Sequence, residues 1–272
     1  MLPETGGEAV VTEPREHVKA AAFFDLDNTL MQGASLYYFA RGLAARKYFT
    51  TTDLLRFGWS QVKFRLLAAE HAGDIAEARQ AALAFIEGWR VEDVRRLSEE
   101  IFDELMAERI WAGTRAIAEQ HIADGDRVWL VTAAPVELGE VISRRLGLTG
   151  ALGTVAEIRD GVYTGRLVGE MLHGPAKETA VRAMAAAEGF DLADCYAYSD
   201  SVNDLPMLSS VGHPTAVNPD GALRRHARAR SWQIRDFRTG RKAAKVAVPA
   251  TLAAGVLAGA VAAGLAIRAR RD

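Results

Sequence analysis

The run from Val18 to Phe24 is apolar or small except for Lys19, and it ends abruptly in Asp25-Leu26-Asp27-Asn28-Thr29-Leu30. An apolar run without polar alternation reads as a strand buried on both faces, the condition of an inner strand in a parallel sheet. Open α/β sheets place ligands just beyond the carboxyl ends of their strands, which is where Asp25 and Asp27 would stand. Two like charges this close repel, so the pair needs a cation or a shared proton. The pair also has a chemical use. One carboxylate can attack a phosphoryl group while a second carboxyl protonates the leaving oxygen, and Mg²⁺, a hard cation with oxygen ligands, would offset the charge. An acidic turn or a helix start would carry the same residues, so the rest of the chain has to decide.

A length of 272 residues suits one large domain with an insertion, or two domains. A net charge of −2 gives no reason to expect nucleic acid. Cys195 is the only cysteine, which excludes an intramolecular disulfide and suits a reducing compartment. Residues 1–17 are polar, with Gly6-Gly7, two prolines and several acids. They read as a disordered lead-in and not as a secretory leader, so a cytoplasmic location is expected.

Beyond Leu30 the spacing predicts helices over Ser35–Lys47, Thr52–His71, Ile75–Gly88 and Val91–Arg109. A helical insert over residues 33–111, directly after a strand that ends in acids, is expected to act as a lid that excludes water and reads the substrate. A small helical domain with no part in chemistry is the alternative. Trp111–Asp124 reads as a helix with Ile117 and Ile122 turned inward. Arg127–Val131 reads as a second buried strand that delivers Thr132-Ala133-Ala134-Pro135, with Pro135 in the first turn of a helix ending at Gly147. A hydroxyl and backbone N–H groups in front of a helix suit an anion. Residues Ala151–Ile158 and Val162–Val168 flank Arg159-Asp160-Gly161, a hairpin signal. Lys177 falls in the first turn of the next helix, where the helix dipole disfavours a cation and a nearby anion would compensate. Cys195–Tyr198 is a further strand, followed by Ser199-Asp200-Ser201-Val202-Asn203-Asp204. This is a second carboxylate pair at a second strand end. Thr215–Val217 and Trp232–Phe237 read as the last strands, with Asn218-Pro219-Asp220 a turn.

These strand ends together resemble the haloacid dehalogenase superfamily on its phosphatase side. Asp25-Leu26-Asp27-Asn28-Thr29 matches the first motif, Thr132 the second, Lys177 the third, and Asp200 with Asp204 the fourth, in family order across residues 20–220. The nearest branch is the one containing phosphoserine phosphatase, whose helical cap is inserted at the same place. The resemblance implies a Rossmann-like α/β core over residues 18–32 and 112–240, with an all-helical cap over 33–111. It implies Asp25 as nucleophile and Mg²⁺ ligand, and Asp27 as general acid and then base, offering its backbone carbonyl to the metal. Asp200 becomes the third metal contact, and Asp204 orients the metal shell and Lys177. Thr132, Ala133, Lys177 and Asn203 hold the phosphoryl group. An acid at Asp27 separates phosphatases from the dehalogenases of the family, which lack one there. A phosphomutase and a membrane-tethered, non-catalytic binding protein of the same fold are the alternatives.

Where phosphoserine phosphatase carries a Glu that holds the substrate amine, this chain has Ala34. The expected partner is therefore a small phosphate ester of open identity: phosphoserine, histidinol phosphate, a sugar phosphate or a lysophospholipid. The tail over residues 241–272 holds an uncharged stretch, Val246–Ile267, long enough to cross a bilayer and flanked by basic residues. Its many Ala and Gly residues leave insertion near balance. A C-terminal apolar helix that anchors weakly to a membrane is expected, with a soluble or partner-binding tail as the alternative.

Overall fold

The computed structural model describes residues 20–48 and 86–238. Its centre is a six-stranded sheet in the order β3-β2-β1-β6-β7-β8, with every neighbouring pair parallel. The strands are β1 (Ala21–Asp25), β2 (Arg127–Pro135), β3 (Gly150–Thr154), β6 (Tyr196–Ser199), β7 (His213–Val217) and β8 (Gln233–Arg235). A separate antiparallel hairpin pairs β4 (Ala156–Arg159) with β5 (Val162–Leu167). The helices are α1 (Ser35–Ala45), α2 (Val91–Ile101), α3 (Ala112–Ala123), α4 (Val136–Leu146), α5 (Pro175–Glu188), α6 (Leu205–Ser209) and α7 (Gly221–Ala229).

β1 is buried along its whole length because it lies inside the sheet with helices on both faces. Its side chains alternate. Ala21 and Phe23 join a cluster with Val181 of α5 and Met207 of α6, whereas Ala22 and Phe24 join Ala118 of α3 and Tyr198 of β6. Phe23 and Phe24 are fully buried, and each stabilises the fold by roughly 1.5–3 kcal/mol. The same period of two sends the side chain of Asp25 toward the face that carries α5. The order of strands reverses at β1, so the crevice beyond β1 and β6 is the switch point at which such sheets bind ligands.

α1 and α2 of the insert pack directly against the core. Phe39 and Leu43 of α1, Val94, Leu97 and Ile101 of α2, and Leu138 and Val141 of α4 share one hydrophobic cluster with Leu26 and Leu130. The two insert helices cross closely at Gly42, where a Cβ would stand 2.5 Å from the side chain of Ile101. The chain enters and leaves the insert side by side: Gln32 N–H donates to the Arg109 carbonyl at 2.8 Å, and Trp111 N–H to the Leu30 carbonyl at 2.9 Å.

Several expectations are corrected. β2 runs on to Pro135, so Thr132 lies within the strand, and Pro135 caps α4 from outside rather than opening it. The segment Ala151–Ile158 is two strands. It breaks at Val155, its first half joining the main sheet and its second half the hairpin. The hairpin turn itself is as expected: Asp160 and Gly161 have φ of 50° and 77°, the two positive angles of a type I′ turn. The predicted helix over Val91–Arg109 ends its regular part at Ile101 and continues as a wider turn, Phe102–Met106, and a tighter one, Ala107–Arg109. Ile122 is 40% exposed. It lies five residues from Ile117, about 140° around a helix, so the two cannot share a face. The buried stripe of α3 is Thr114, Ala118 and His121. The predicted helix over Thr52–His71, nearly all of that over Ile75–Gly88, the lead-in and the apolar tail lie outside the described residues. No helix among the described residues is long and apolar enough to cross a membrane.

Candidate active site

Parallel register brings the strand ends together. Asp25 pairs with Val131, so Thr132 lies one step beyond the level of Asp25; Phe24 pairs with Tyr198, so Ser199 and Asp200 follow on the other side. α5 then delivers the cation. Gly174 adopts a φ of 54° at its N-cap, Pro175 opens the helix, and Lys177 falls in the first turn with its side chain buried. The unfavourable position against the helix dipole is offset by two carboxylates. Lys177 Nζ donates to Asp25 Oδ1 at 2.6 Å and to Asp204 Oδ2 at 2.8 Å.

Two hydroxyls complete the cluster. Thr29 Oγ1 donates to Asp25 Oδ2 at 2.9 Å and stands 3.5 Å from Asp200 Oδ1, so the two carboxylates share one neighbour. Ser199 Oγ donates to Asp204 Oδ2 at 2.7 Å. The sequence alone gives neither hydroxyl a role. The available signal is that Thr29 is the last residue of the first motif and Ser199 the hydroxyl that ends β6. The carboxylate of Asp27 is turned toward the insert, where Oδ1 accepts from Ser35 N–H at 2.8 Å. Ala34, the N-cap of α1, offers no side-chain cap, and Asp27 supplies that acceptor instead.

The other predicted residues are placed nearby without joining the hydrogen-bonded cluster. Thr132 is buried, and its hydroxyl accepts from Ala134 N–H at 3.1 Å. The Ala133 carbonyl accepts from Thr154 Oγ1 at 2.7 Å. Asn203 is exposed in a short turn, Val202–Asp204, where its N–H donates to Ser201 Oγ.

One lysine cannot balance three carboxylates. Burial pushes Asp25 up to about 7 against the pull of Lys177, with Asp204 and Asp27 adding repulsion. Burial likewise pushes Asp200 up to about 8, with Asp25 and Asp204 raising it further. Burial pulls Lys177 down, but its contacts with Asp25 and Asp204 outweigh that and hold it charged. Such shifts, set by burial and named partners in a cleft, are typical of functional sites.

The donors present fit Mg²⁺. The carboxylates of Asp25 and Asp200 are hard oxygen ligands, they flank one hydroxyl, and they carry charge that a dication would offset. Among the described residues no three His, Cys, Asp or Glu side chains form a ready metal cage. A set made from two carboxylates and the Asp27 backbone carbonyl does not require one.

Known proteins resemble this chain in sequence and in fold. Residues 22–209 match the family model described as haloacid dehalogenase-like hydrolase. Phosphoserine phosphatase SerB1 of Mycobacterium tuberculosis is 57% identical over 251 residues, covering 92% of this chain and 82% of that protein. Among solved structures, a Bordetella pertussis protein with unknown function is 30% identical, with a TM-score of 0.72 over 80% of this chain and 99% of that one. A phospho-aspartyl intermediate analogue of phosphoserine phosphatase shares the fold at 20% identity, with a TM-score of 0.56 over 82% of this chain and 98% of the other.

Proposed function

Since the chain belongs to the haloacid dehalogenase-like hydrolases, on their phosphoserine-phosphatase-like branch, we propose that it hydrolyses a small phosphate monoester through an aspartyl-phosphate on Asp25, with Mg²⁺ as cofactor. The observation that carries this reading is the buried cluster in which Lys177 holds Asp25 and Asp204 while Thr29 links Asp25 to Asp200.

In this reading a carboxylate oxygen of Asp25 attacks phosphorus as the bond to the ester oxygen breaks. Asp27 gives its proton to that departing oxygen, so the alcohol leaves neutral. Ser35 N–H holds one oxygen of Asp27 during the transfer. Water then attacks phosphorus, Asp27 takes the water's proton, and the bond from phosphorus to Asp25 breaks to release inorganic phosphate and restore both groups. Lys177, Thr132 and the backbone at Ala133, with Asn203 at the rim, hold the phosphoryl oxygens, and Asp204 holds Lys177 in place. Mg²⁺ held by Asp25, Asp200 and the Asp27 carbonyl would supply charge stabilisation for the phosphoryl group. The insert serves as the lid. What supports that is its paired entry and exit at Gln32 and Arg109, next to the loop that bears Asp27.

The relative of known name makes phosphoserine the first substrate to try, whereas Ala34 removes the acid that would hold a substrate amine at that place. The test is phosphate release from phosphoserine, histidinol phosphate, sugar phosphates and lysophospholipids, each with Mg²⁺ and with a chelator. Acid-quenched enzyme is then mapped by mass spectrometry. A phosphoryl adduct on the peptide carrying Asp25 is expected. Release that persists in chelator, or an adduct elsewhere, would refute the reading.

A further inference from the structure

The turn after β7, Asn218-Pro219-Asp220, grips both loops that carry the metal-site acids. Asn218 is 1% exposed and holds a φ of 48°. Its Nδ2 donates to the carbonyl of Asn28, the residue after Asp27, at 3.1 Å. Its Oδ1 accepts from Phe237 N–H at 2.7 Å, which fixes the amide's orientation from behind. Two residues on, Asp220 N–H donates to the carbonyl of Asp200 at 2.8 Å, and Asp220 Oδ2 accepts from Val202 N–H at 2.9 Å. One short turn thus holds the backbone beside Asp27 on one side and the backbone of Asp200 on the other.

Asn28 needs that hold. It is itself left-handed, with a φ of 61°, a conformation that costs energy unless its surroundings impose it. Its N–H donates to the Gly33 carbonyl at 3.2 Å and its side chain accepts from Gly33 N–H at 3.1 Å. The loop is therefore closed on itself, and Asn218 is the tie that relates it to the far side of the site. Residues 28 and 218 are 190 apart in the chain.

We propose that Asn218 and Asp220 are positioning residues that set the spacing between the Asp25–Asp27 loop and Asp200. They touch neither substrate nor phosphorus; they act through the Asn28 and Asp200 backbones. The inference rests on the Mg²⁺-dependent phosphatase reading. Partners that orient metal ligands typically change metal affinity or activity by about 10–100-fold.

A helix cap alone would explain Asp220, because its Oδ1 accepts from Leu223 N–H at 2.7 Å at the start of α7. Two substitutions separate the roles. Asp220→Ser keeps a capping hydroxyl for α7 but is too short to hold Val202 as well. Asn218→Gly keeps the left-handed backbone at no steric cost and deletes only the amide. In the full-length protein, Mg²⁺ affinity by titration calorimetry should weaken by roughly 10-fold or more in Asp220→Ser. In Asn218→Gly, kcat should fall by about 10-fold or more with KM for the best substrate unchanged. Parent-like Mg²⁺ affinity in Asp220→Ser together with parent-like kcat in Asn218→Gly would overturn the inference, as would losses confined to thermal stability. A parent protein that turns over no phosphate ester would instead defeat the phosphatase reading, and the calorimetric comparison would still judge the turn.

Discussion

Tyr198 and Ser199 are neighbours on β6, yet the buried networks they enter on opposite faces of that strand are balanced differently. On one face Tyr198 Oη and His121 Nε2 lie 2.7 Å apart, His121 Nδ1 lies 2.8 Å from Asp126, and Phe24 stacks on the Tyr198 ring at 4.2 Å. One carboxylate, one imidazole and one phenol share their hydrogen bonds in a closed chain. On the other face Ser199 and Lys177 serve Asp204, Lys177 also serves Asp25, and Asp200 stands close by. There the carboxylates outnumber the lysine, and both Asp25 and Asp200 are pushed up. The first network is what a folded core needs, since buried polar groups must be satisfied. The second keeps a surplus of negative charge that folding alone does not call for, and that surplus marks where a cation and a phosphate would act.

Substitutions can break this contrast. Asp25→Asn should give the largest effect: kcat falls by at least ~10³-fold while the far-ultraviolet circular dichroism stays that of the parent. His121→Leu should do the reverse. It leaves Asp126 and Tyr198 without their partner and costs about 1–3 kcal/mol in urea unfolding for each group so orphaned, with kcat unchanged. A drop in kcat matching that of Asp25→Asn would erase the distinction between the two faces.

The surplus charge also predicts a pH dependence. Asp25 and Asp200 rise to about 7 and about 8 from an ordinary 3.8, so the native protein binds more protons than the unfolded chain between those limits. Stability therefore falls as pH rises through that window and returns on acidification. With chelator present, the melting temperature should climb as pH drops from 8 toward 5, and added Mg²⁺ should flatten the slope. A chelated protein whose melting temperature falls steadily over that interval would contradict the assigned shifts. The smallest effect belongs to the exposed seam between the insert and α4. Arg145 pairs with Asp103 at 2.7 Å, but both are substantially exposed, so Arg145→Ala should cost only about 0–1 kcal/mol with parent-like turnover.

Much of the site could be read in the chain because its parts are local. A strand that ends in Asp25, a lysine in the first turn behind Gly174-Pro175, and an acidic pair four residues apart each carry their own signal. The failures are local too, but of another kind. Ala151–Ile158 looks like one strand because nothing in its apolar pattern says that Val155 leaves one sheet for another. In α3 the expected inward pair is half right: Ile117 packs against the cluster of Phe24 and Ala118, whereas Ile122 is exposed, because two of the inner positions, Thr114 and His121, are held by hydrogen bonds and not by hydrophobicity. Asn218 and Asp220 read only as turn residues, since a turn's partners on other strands leave no trace in its own composition.

The amino-acid sequence by itself determined which strands are buried and which strand ends bear acids, the cation and the hydroxyl, because burial and capping follow from residue type and spacing along a few turns of chain. The tertiary structure alone decided that Lys177 reaches Asp25 across 152 positions and that Thr29 reaches Asp200 across 171. It also decided that Asp27 faces the insert rather than its twin. Those distances depend on the order in which parallel strands lie side by side, and strand order is chosen by the packing of the whole core.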